Sequence, residues 1–238
     1  MISHPSPNFG DRRDGARPDL VVLHYTAMPT ADGALAWLCD PASEVSAHYL
    51  IAKTGETYRV VEEDRRAWHA GAGAWGAVRD VNSRSIGIEL DNIGAEPFPE
   101  PQMAALEALL RDIVQRWSIP PERVIAHSDM APGRKIDPGA RFDWARLARQ
   151  GLSVRTGPSS DPSGPSSQEK ALEEADEQAF RDAARAFGYT AEAPTEAILR
   201  AVRQRFRPWA EGPLAAADLA VMQDLATRFP VDRGAAGA

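Results

Sequence analysis

The sequence predicts an α/β fold, a mixed central sheet flanked by helices, followed by a small all-α unit of three helices. Three observations lead there. Short apolar runs bounded by turn residues alternate with stretches of helical periodicity through residues 1–152. The run Gly157-Pro158-Ser159-Ser160-Asp161-Pro162-Ser163-Gly164-Pro165-Ser166-Ser167 then offers no apolar side chain to bury and marks a linker, set at 153–168. Beyond it, over 169–233, the pattern is helical only, and 234–238 is a glycine–alanine tail expected to fray.

Each element has its own warrant. Leu20-Val21-Val22-Leu23 is continuously apolar and reads as a buried strand ending at His24. Thr30 is placed to cap a short helix carrying Leu35, Trp37 and Leu38. Residues 46–51 and 57–61 flank Lys53-Thr54-Gly55-Glu56, a hairpin signal with glycine at the turn. Ser85-Ile86-Gly87-Ile88-Glu89-Leu90 reads as a second buried strand. Residues 101–117 form the clearest helix, with Met103, Leu106, Leu110, Ile113, Val114 and Trp117 on one face. Pro120-Pro121 stops it and leads into the strand Val124-Ile125-Ala126, which ends at His127. Asp143 caps a last short helix through Trp144 and Leu147.

After the linker, Leu172, Ala175, Ala179, Phe180, Ala183 and Phe187 make one stripe, closed by Gly188. Ile198, Leu199, Val202 and Phe206 make a second, ended by Pro208, and Leu219, Met222, Leu225 and Phe229 a third.

Composition narrows the class of function. A length of 238 residues suits one large domain or one medium and one small domain, and 43% hydrophobic residues suffice for a core. No stretch approaches the roughly 20 apolar residues of a spanning helix. A net charge of -7 argues against nucleic acid as partner, because phosphate binding needs a basic surface. The single cysteine, Cys39, excludes an internal disulfide and reads as a packing residue. The first ten residues carry neither a basic start nor an apolar segment, so a cytoplasmic location is expected, or a periplasmic one if the N-terminus is trimmed. A monomer is expected, and His4, in a proline-rich stretch, is given no role.

Chemistry concentrates at His24, His127 and Asp137. Each histidine ends an apolar run, and Asp137 follows ten residues after His127 in a loop containing Pro132, Gly133, Pro138 and Gly139. Singly, a strand-end histidine is more often a hydrogen-bonded core or surface residue. Together, two imidazoles and a carboxylate suit zinc and leave a fourth position for water, as a hydrolytic site requires.

These residues, with Val45-Ser46-Ala47-His48-Tyr49-Leu50-Ile51, Ala67-Trp68-His69-Ala70-Gly71, Asn82-Ser83-Arg84-Ser85-Ile86-Gly87-Ile88-Glu89-Leu90 and Lys135-Ile136-Asp137-Pro138-Gly139, resemble the zinc-dependent N-acetylmuramoyl-L-alanine amidases of the type 2 family, relatives of the peptidoglycan recognition proteins. The resemblance covers roughly residues 15–150. It implies Zn2+ as cofactor, with His24, His127 and Asp137 as ligands, Glu89 as general base and Lys135 stabilising the oxyanion. By alternation alone Glu89 is a solvent-facing strand residue. Lys135, two residues before Asp137, shares its direction in an extended loop.

The resemblance also makes His69, His48 and Trp68 candidates for substrate contact, with packing as the alternative for His48. Some family members carry a tyrosine where Ala47 stands; alanine donates nothing, which leaves the proton transfer to Glu89 and groups the chain with bacterial amidases of the AmpD and AmiD kind. The segment from Ala186 to Pro208 is similar to the peptidoglycan-binding helical domain of such amidases. Arg200, Arg203, Arg205 and Arg207 there either line a glycan groove or form a solvated helix face.

The expected activity is hydrolysis of the amide between the lactyl group of N-acetylmuramic acid and L-alanine, in peptidoglycan or anhydro-muropeptides. The alternative is a non-catalytic protein on the same fold that recognises muropeptides without cutting them.

Overall fold

The structure, a computed structural model, describes residues 1–157 and 175–232. Leu172, the expected linker beyond Gly157 and the expected frayed tail lie outside the described residues.

Among the described residues eight strands form: β1 (Ile2–Ser3), β2 (Phe9–Asp11), β3 (Leu20–Tyr25), β4 (Tyr49–Ile51), β5 (Thr57–Arg59), β6 (Arg65–Ala67), β7 (Ser85–Leu90) and β8 (Val124–Ala126). Six of them make one sheet in the order β1-β5-β4-β7-β3-β8, and β2 and β6 pair separately. All neighbours in the main sheet are parallel except β4 and β5, the expected hairpin. Helices α1 (Ala31–Cys39), α2 (Val81–Arg84) and α3 (Glu100–Trp117) lie between strands, and α4 (His127–Met130) and α5 (Trp144–Arg149) follow β8. Among the described residues beyond Gly157, three helices follow: α6 (Glu177–Phe187), α7 (Thr195–Phe206) and α8 (Ala216–Arg228).

Parallel strands covered on both faces are apolar on both faces, and β3 shows it: Leu20 through Leu23 have no exposure at all. One face carries Val21, Leu23, Ile86, Ile88, Leu90 and Val124, which pack against Leu106, Leu110 and Ile113 of α3 and Leu147 of α5. Burying an aliphatic side chain of this size stabilises by about 1.5–3 kcal/mol. Thr30 caps α1 by accepting from Gly33 N–H, and Asp143 caps α5 by accepting from Arg146 N–H, as expected from sequence.

The opposite face carries Leu20, Val22 and Ile125, and here the three C-terminal helices lie. Phe180, Phe187, Ile198, Val202, Phe206, Val221, Met222 and Leu225 share one apolar cluster with those sheet residues and with Trp75. The stripes that mark these helices in sequence therefore close on the sheet as well as on one another. A stripe says that a face is buried, not against what.

Two further features go beyond the sequence reading. The N-terminal segment is built into the fold: β1 adds an edge strand beside β5, Ser6 Oγ donates to Leu38 O (2.6 Å), and Asn8 Nδ2 donates to Asp40 O (2.8 Å). Arg203, Arg205 and Arg207 do not form a solvated helix face. They are buried in ion pairs, Arg203 and Arg207 with Asp218 and Arg205 with Asp129. Their carboxylate partners are distant in sequence, so spacing along α7 alone gave no sign of them. Arg200 is exposed and, with Arg203, lines a groove of about 570 Å³ beside α7.

Candidate metal centre and active site

In parallel sheets, sites form at the carboxyl ends of the strands. Here β3 ends in His24-Tyr25, β7 ends in Glu89-Leu90, and the chain leaves β8 directly into His127, the first residue of the one-turn helix α4. Register sets the rest. His24 pairs with Glu89 across β3 and β7, and Glu89 with Leu50 across β7 and β4, so both polar side chains stand on one face. Asp137 returns to the same point on the loop after α4, held where Ser128 N–H donates to its carbonyl (3.0 Å).

Three atoms converge. His24 Nδ1 lies 2.9 Å from His127 Nδ1 and 3.0 Å from Asp137 Oδ2, and His127 Nδ1 lies 3.0 Å from the same oxygen. All three residues are buried, and they form the sole cluster of this kind among the described residues.

The outer partners decide where the ring protons sit. Val81 O can only accept, so Ser85 Oγ–H donates to it (2.6 Å). Ser85 Oγ then accepts from His69 Nε2–H (3.1 Å), which leaves His69 Nδ1 to accept from His24 Nε2–H (3.0 Å). His127 Nε2–H likewise donates to Ala70 O (2.9 Å). Each neutral imidazole has one ring proton, and both are committed outward. Both Nδ1 lone pairs thus face a carboxylate oxygen at about 3 Å, an arrangement that repels itself unless a cation sits among them.

Tetrahedral zinc, with metal–ligand bonds of about 2.0–2.1 Å, sets its ligand atoms about 3.3 Å apart. Two nitrogens and an oxygen are its usual donors, and ligand histidines usually bond outward through the second nitrogen. The residues present fit zinc. Burial, with His127 beside it, lowers His24 to about 4 against the pull of Asp137, so the ring is neutral at physiological pH as a ligand must be.

Glu89 faces the cluster. Its Oε2 is buried without a hydrogen-bond partner. Burial first, then the Asp137 charge, push it up to about 8, with Lys135 opposing. An unpartnered buried carboxyl in a cavity is a functional-site signature. The cavity measures about 330 Å³ and holds His24, His69, Glu89, His127, Lys135 and Asp137. Trp37, Trp68 and Ile136 wall it with apolar surface, and Lys135 is exposed at its edge.

Of the sequence candidates, then, His24, His127, Asp137, Glu89, Lys135, Trp68 and His69 meet around one cavity. His48 does not. It is fully buried, its Nδ1 accepts from Gly87 N–H (2.9 Å) and its Nε2–H donates to Arg65 O (3.1 Å), so it serves the sheet rather than a substrate. Burial and the Arg12 guanidinium push it down to about 3. His69 borders the cavity, but both its nitrogens are spent on His24 and Ser85.

Sequence reasoning missed Ser85 and Gly87. A Cβ on Gly87 would lie 2.4 Å from His69 Cγ, so only glycine leaves room for that ring. The signal was there: in Ser85-Ile86-Gly87-Ile88-Glu89-Leu90 one face is all small or polar, the side on which another ring lies.

Comparison with known proteins places these residues in a family. Residues 14–140 match the model of the family described as N-acetylmuramoyl-L-alanine amidase. The chain is 42% identical over 154 residues to the N-acetylmuramoyl-L-alanine amidase AmiD of Escherichia coli (strain K12), a match covering 58% of this chain and 55% of that protein. The chain thus spans about half the length of that relative. It is 33% identical over 160 residues to the 1,6-anhydro-N-acetylmuramyl-L-alanine amidase AmpD of Enterobacter cloacae, covering 60% of this chain and 86% of that protein. Among solved structures, AmiD from E. coli in complex with the substrate anhydro-N-acetylmuramic acid-L-Ala-D-gamma-Glu-L-Lys superposes with a TM-score of 0.79 at 32% identity, covering 90% of each chain.

Proposed function

Because the chain belongs to the N-acetylmuramoyl-L-alanine amidase family, we propose that it hydrolyses the amide between the lactyl group of N-acetylmuramic acid and L-alanine in peptidoglycan fragments. One observation carries the reading above all: the convergence of His24 Nδ1, His127 Nδ1 and Asp137 Oδ2 beside an unpartnered Glu89 carboxyl.

His24, His127 and Asp137 would hold zinc. When bound, zinc lowers the pKa of a water from about 15.7 to about 7 and, as positive charge, favours the anionic form of Glu89.

Glu89 takes the proton of the attacking water. Its Oε2, buried in the cavity without another hydrogen-bond partner, is free to pass that proton on to the departing alanine nitrogen, which must leave as a neutral amine. Lys135, at the cavity edge, brings an ammonium to the carbonyl oxygen as negative charge develops there. One such donor is commonly worth about 2.7–4 kcal/mol in the transition state. The walls of Trp37, Trp68 and Ile136 offer apolar surface to the sugar and the stem peptide, and the bonds from His69 and Ala70 hold the two rings in place.

Mass spectrometry of products from an anhydromuramoyl peptide and from intact sacculi, with and without a chelator, tests this. The expected products are the free muramoyl sugar and a peptide with an alanine N-terminus, lost on chelation and restored by zinc. Binding of the fragment without cleavage at any zinc concentration overturns the catalytic reading.

A further inference from the structure

Asp129 stands two residues beyond His127, fully buried, in the turn α4 that carries that histidine. Its Oδ2 accepts from Ala126 N–H (2.9 Å), which ties the end of β8 to the turn. Its other bonds come from the C-terminal helical region. Tyr189 OH donates to Oδ1 (2.6 Å), and Arg205 Nη1 donates to Oδ2 (2.6 Å). Arg205 has a second arm on the same segment, Nη2 donating to Val124 O (2.9 Å) at the start of β8. The guanidinium stacks over Trp144, 4.5 Å from the ring centroid.

We propose that Arg205 and Tyr189 are positioning residues of the metal centre: by clamping Asp129 and Val124 they fix the turn that aims His127 at His24 and Asp137. The inference rests on the zinc reading above and adds that the C-terminal helices build the centre instead of merely accompanying it.

A bond network of this kind does more than stabilise. A buried carboxylate held by three hydrogen bonds across both oxygens narrows the arrangements open to its turn, and loss of the arginine leaves a charge uncompensated in the interior. Outside the cluster the His127 ring is oriented by its Nε2 bond to Ala70 O, and within the turn its carbonyl accepts from Ala131 N–H (3.0 Å); the Asp129 bonds are what tie that turn to β8 and to the C-terminal helices. The internal control lies just past the end of the same helix: Arg207 is equally buried and is ion-paired with Asp218 of α8, not with the turn that bears His127.

The test uses the full chain and zinc itself. Zinc affinity is measured by competition with a chromophoric chelator for wild type, Tyr189→Phe, Arg205→Lys and Arg207→Gln, beside the melting temperature of each zinc-free protein. Tyr189→Phe removes one hydroxyl and nothing else, and should weaken zinc on the order of tenfold, the lower end of what loss of an outer partner costs. Arg205→Lys keeps the charge but loses the second arm, and should act likewise. Arg207→Gln should lower the melting temperature with zinc affinity unchanged. Cobalt(II) in place of zinc should show an altered visible spectrum in Tyr189→Phe and not in Arg207→Gln.

Wild-type affinity in both Tyr189→Phe and Arg205→Lys overturns the proposal. So does equal weakening in Arg207→Gln, which would mean that stability alone governs zinc. A wild-type protein that binds no zinc instead overturns the metal reading on which the proposal stands.

Discussion

Gly87→Ala tests the histidine relay without touching a ligand or a charge. The new Cβ would lie 2.4 Å from His69 Cγ and 2.6 Å from its Nδ1, well inside any tolerated contact. Gly87 sits within β7 between Ile86 and Ile88, and its backbone is ordinary strand, so alanine costs nothing in conformation and the ring must yield. A shift of about 1 Å would restore contact distance, enough to break the 3.0 Å bond from His24 Nε2–H and the 3.1 Å bond to Ser85. Freed from its partner, His24 can take the other tautomer, which turns an N–H toward the metal position.

Losing such an outer partner typically weakens metal about 10–100-fold, or about 1.4–2.7 kcal/mol. Overpacking adds about 1–3 kcal/mol of lost stability. The assay is zinc competition on the folded variant, with His69→Ala as the companion. The companion should show the same loss of affinity without the overpacking cost. Wild-type zinc affinity in Gly87→Ala would refute the argument that His69 fixes the His24 tautomer.

Three further outcomes follow from the same geometry. Lys135→Ala should bind zinc normally and lose on the order of 10²–10³ in kcat, since one oxyanion donor is removed; metal analysis beside muropeptide turnover checks both. Asp137→Ala should abolish the rise in melting temperature that zinc gives the wild type, a rise worth about 2.7 kcal/mol at a free concentration 100 times Kd. Glu89→Gln should be inert yet still bind zinc, and its zinc-free form carries a pH signature. Because Glu89 is raised to about 8, the folded chain holds a proton there that the unfolded chain releases near 4.5, so this group's stabilisation is full below 4.5 and lost as pH climbs toward 8. Melting curves from pH 5 to pH 8 should show the variant gaining on the wild type as pH rises, and parallel curves would count against a buried, proton-holding Glu89. Comparing the two proteins cancels His24, which works in the opposite direction between about 4 and 6.5.

The metal centre was legible because each ligand is announced by its neighbours. A strand apolar on both faces, such as Leu20–Leu23, must lie inside a parallel sheet, and the residue that ends it must stand at the strand's carboxyl edge, where sites form. His24 and His127 both satisfy that condition. Glu89 was harder, since its strand buries both faces and alternation alone cannot distinguish a cavity from solvent. Only the register with His24 does, and register is a property of two strands.

The arginines of α7 show where a single chain read in order fails in principle. Apolar periodicity works because water is everywhere the default partner, so a stripe needs no named counterpart to be recognised. A buried charge has no such default: it is tolerable only opposite a particular carboxylate. Arg205 and Asp129 are 76 positions apart, and nothing local to either distinguishes them from solvated surface residues. Yet once the helices settle on the sheet, that pair must form, because neither charge can stay in the interior alone. The same constraint makes the contact specific. Hydrophobic helices can slide over an apolar face at little cost, whereas the pair, with Tyr189 on the second oxygen, admits one seat. The turn bearing His127 inherits that single seat, which is why a metal measurement, rather than a stability measurement, is the sensitive probe of what these helices do.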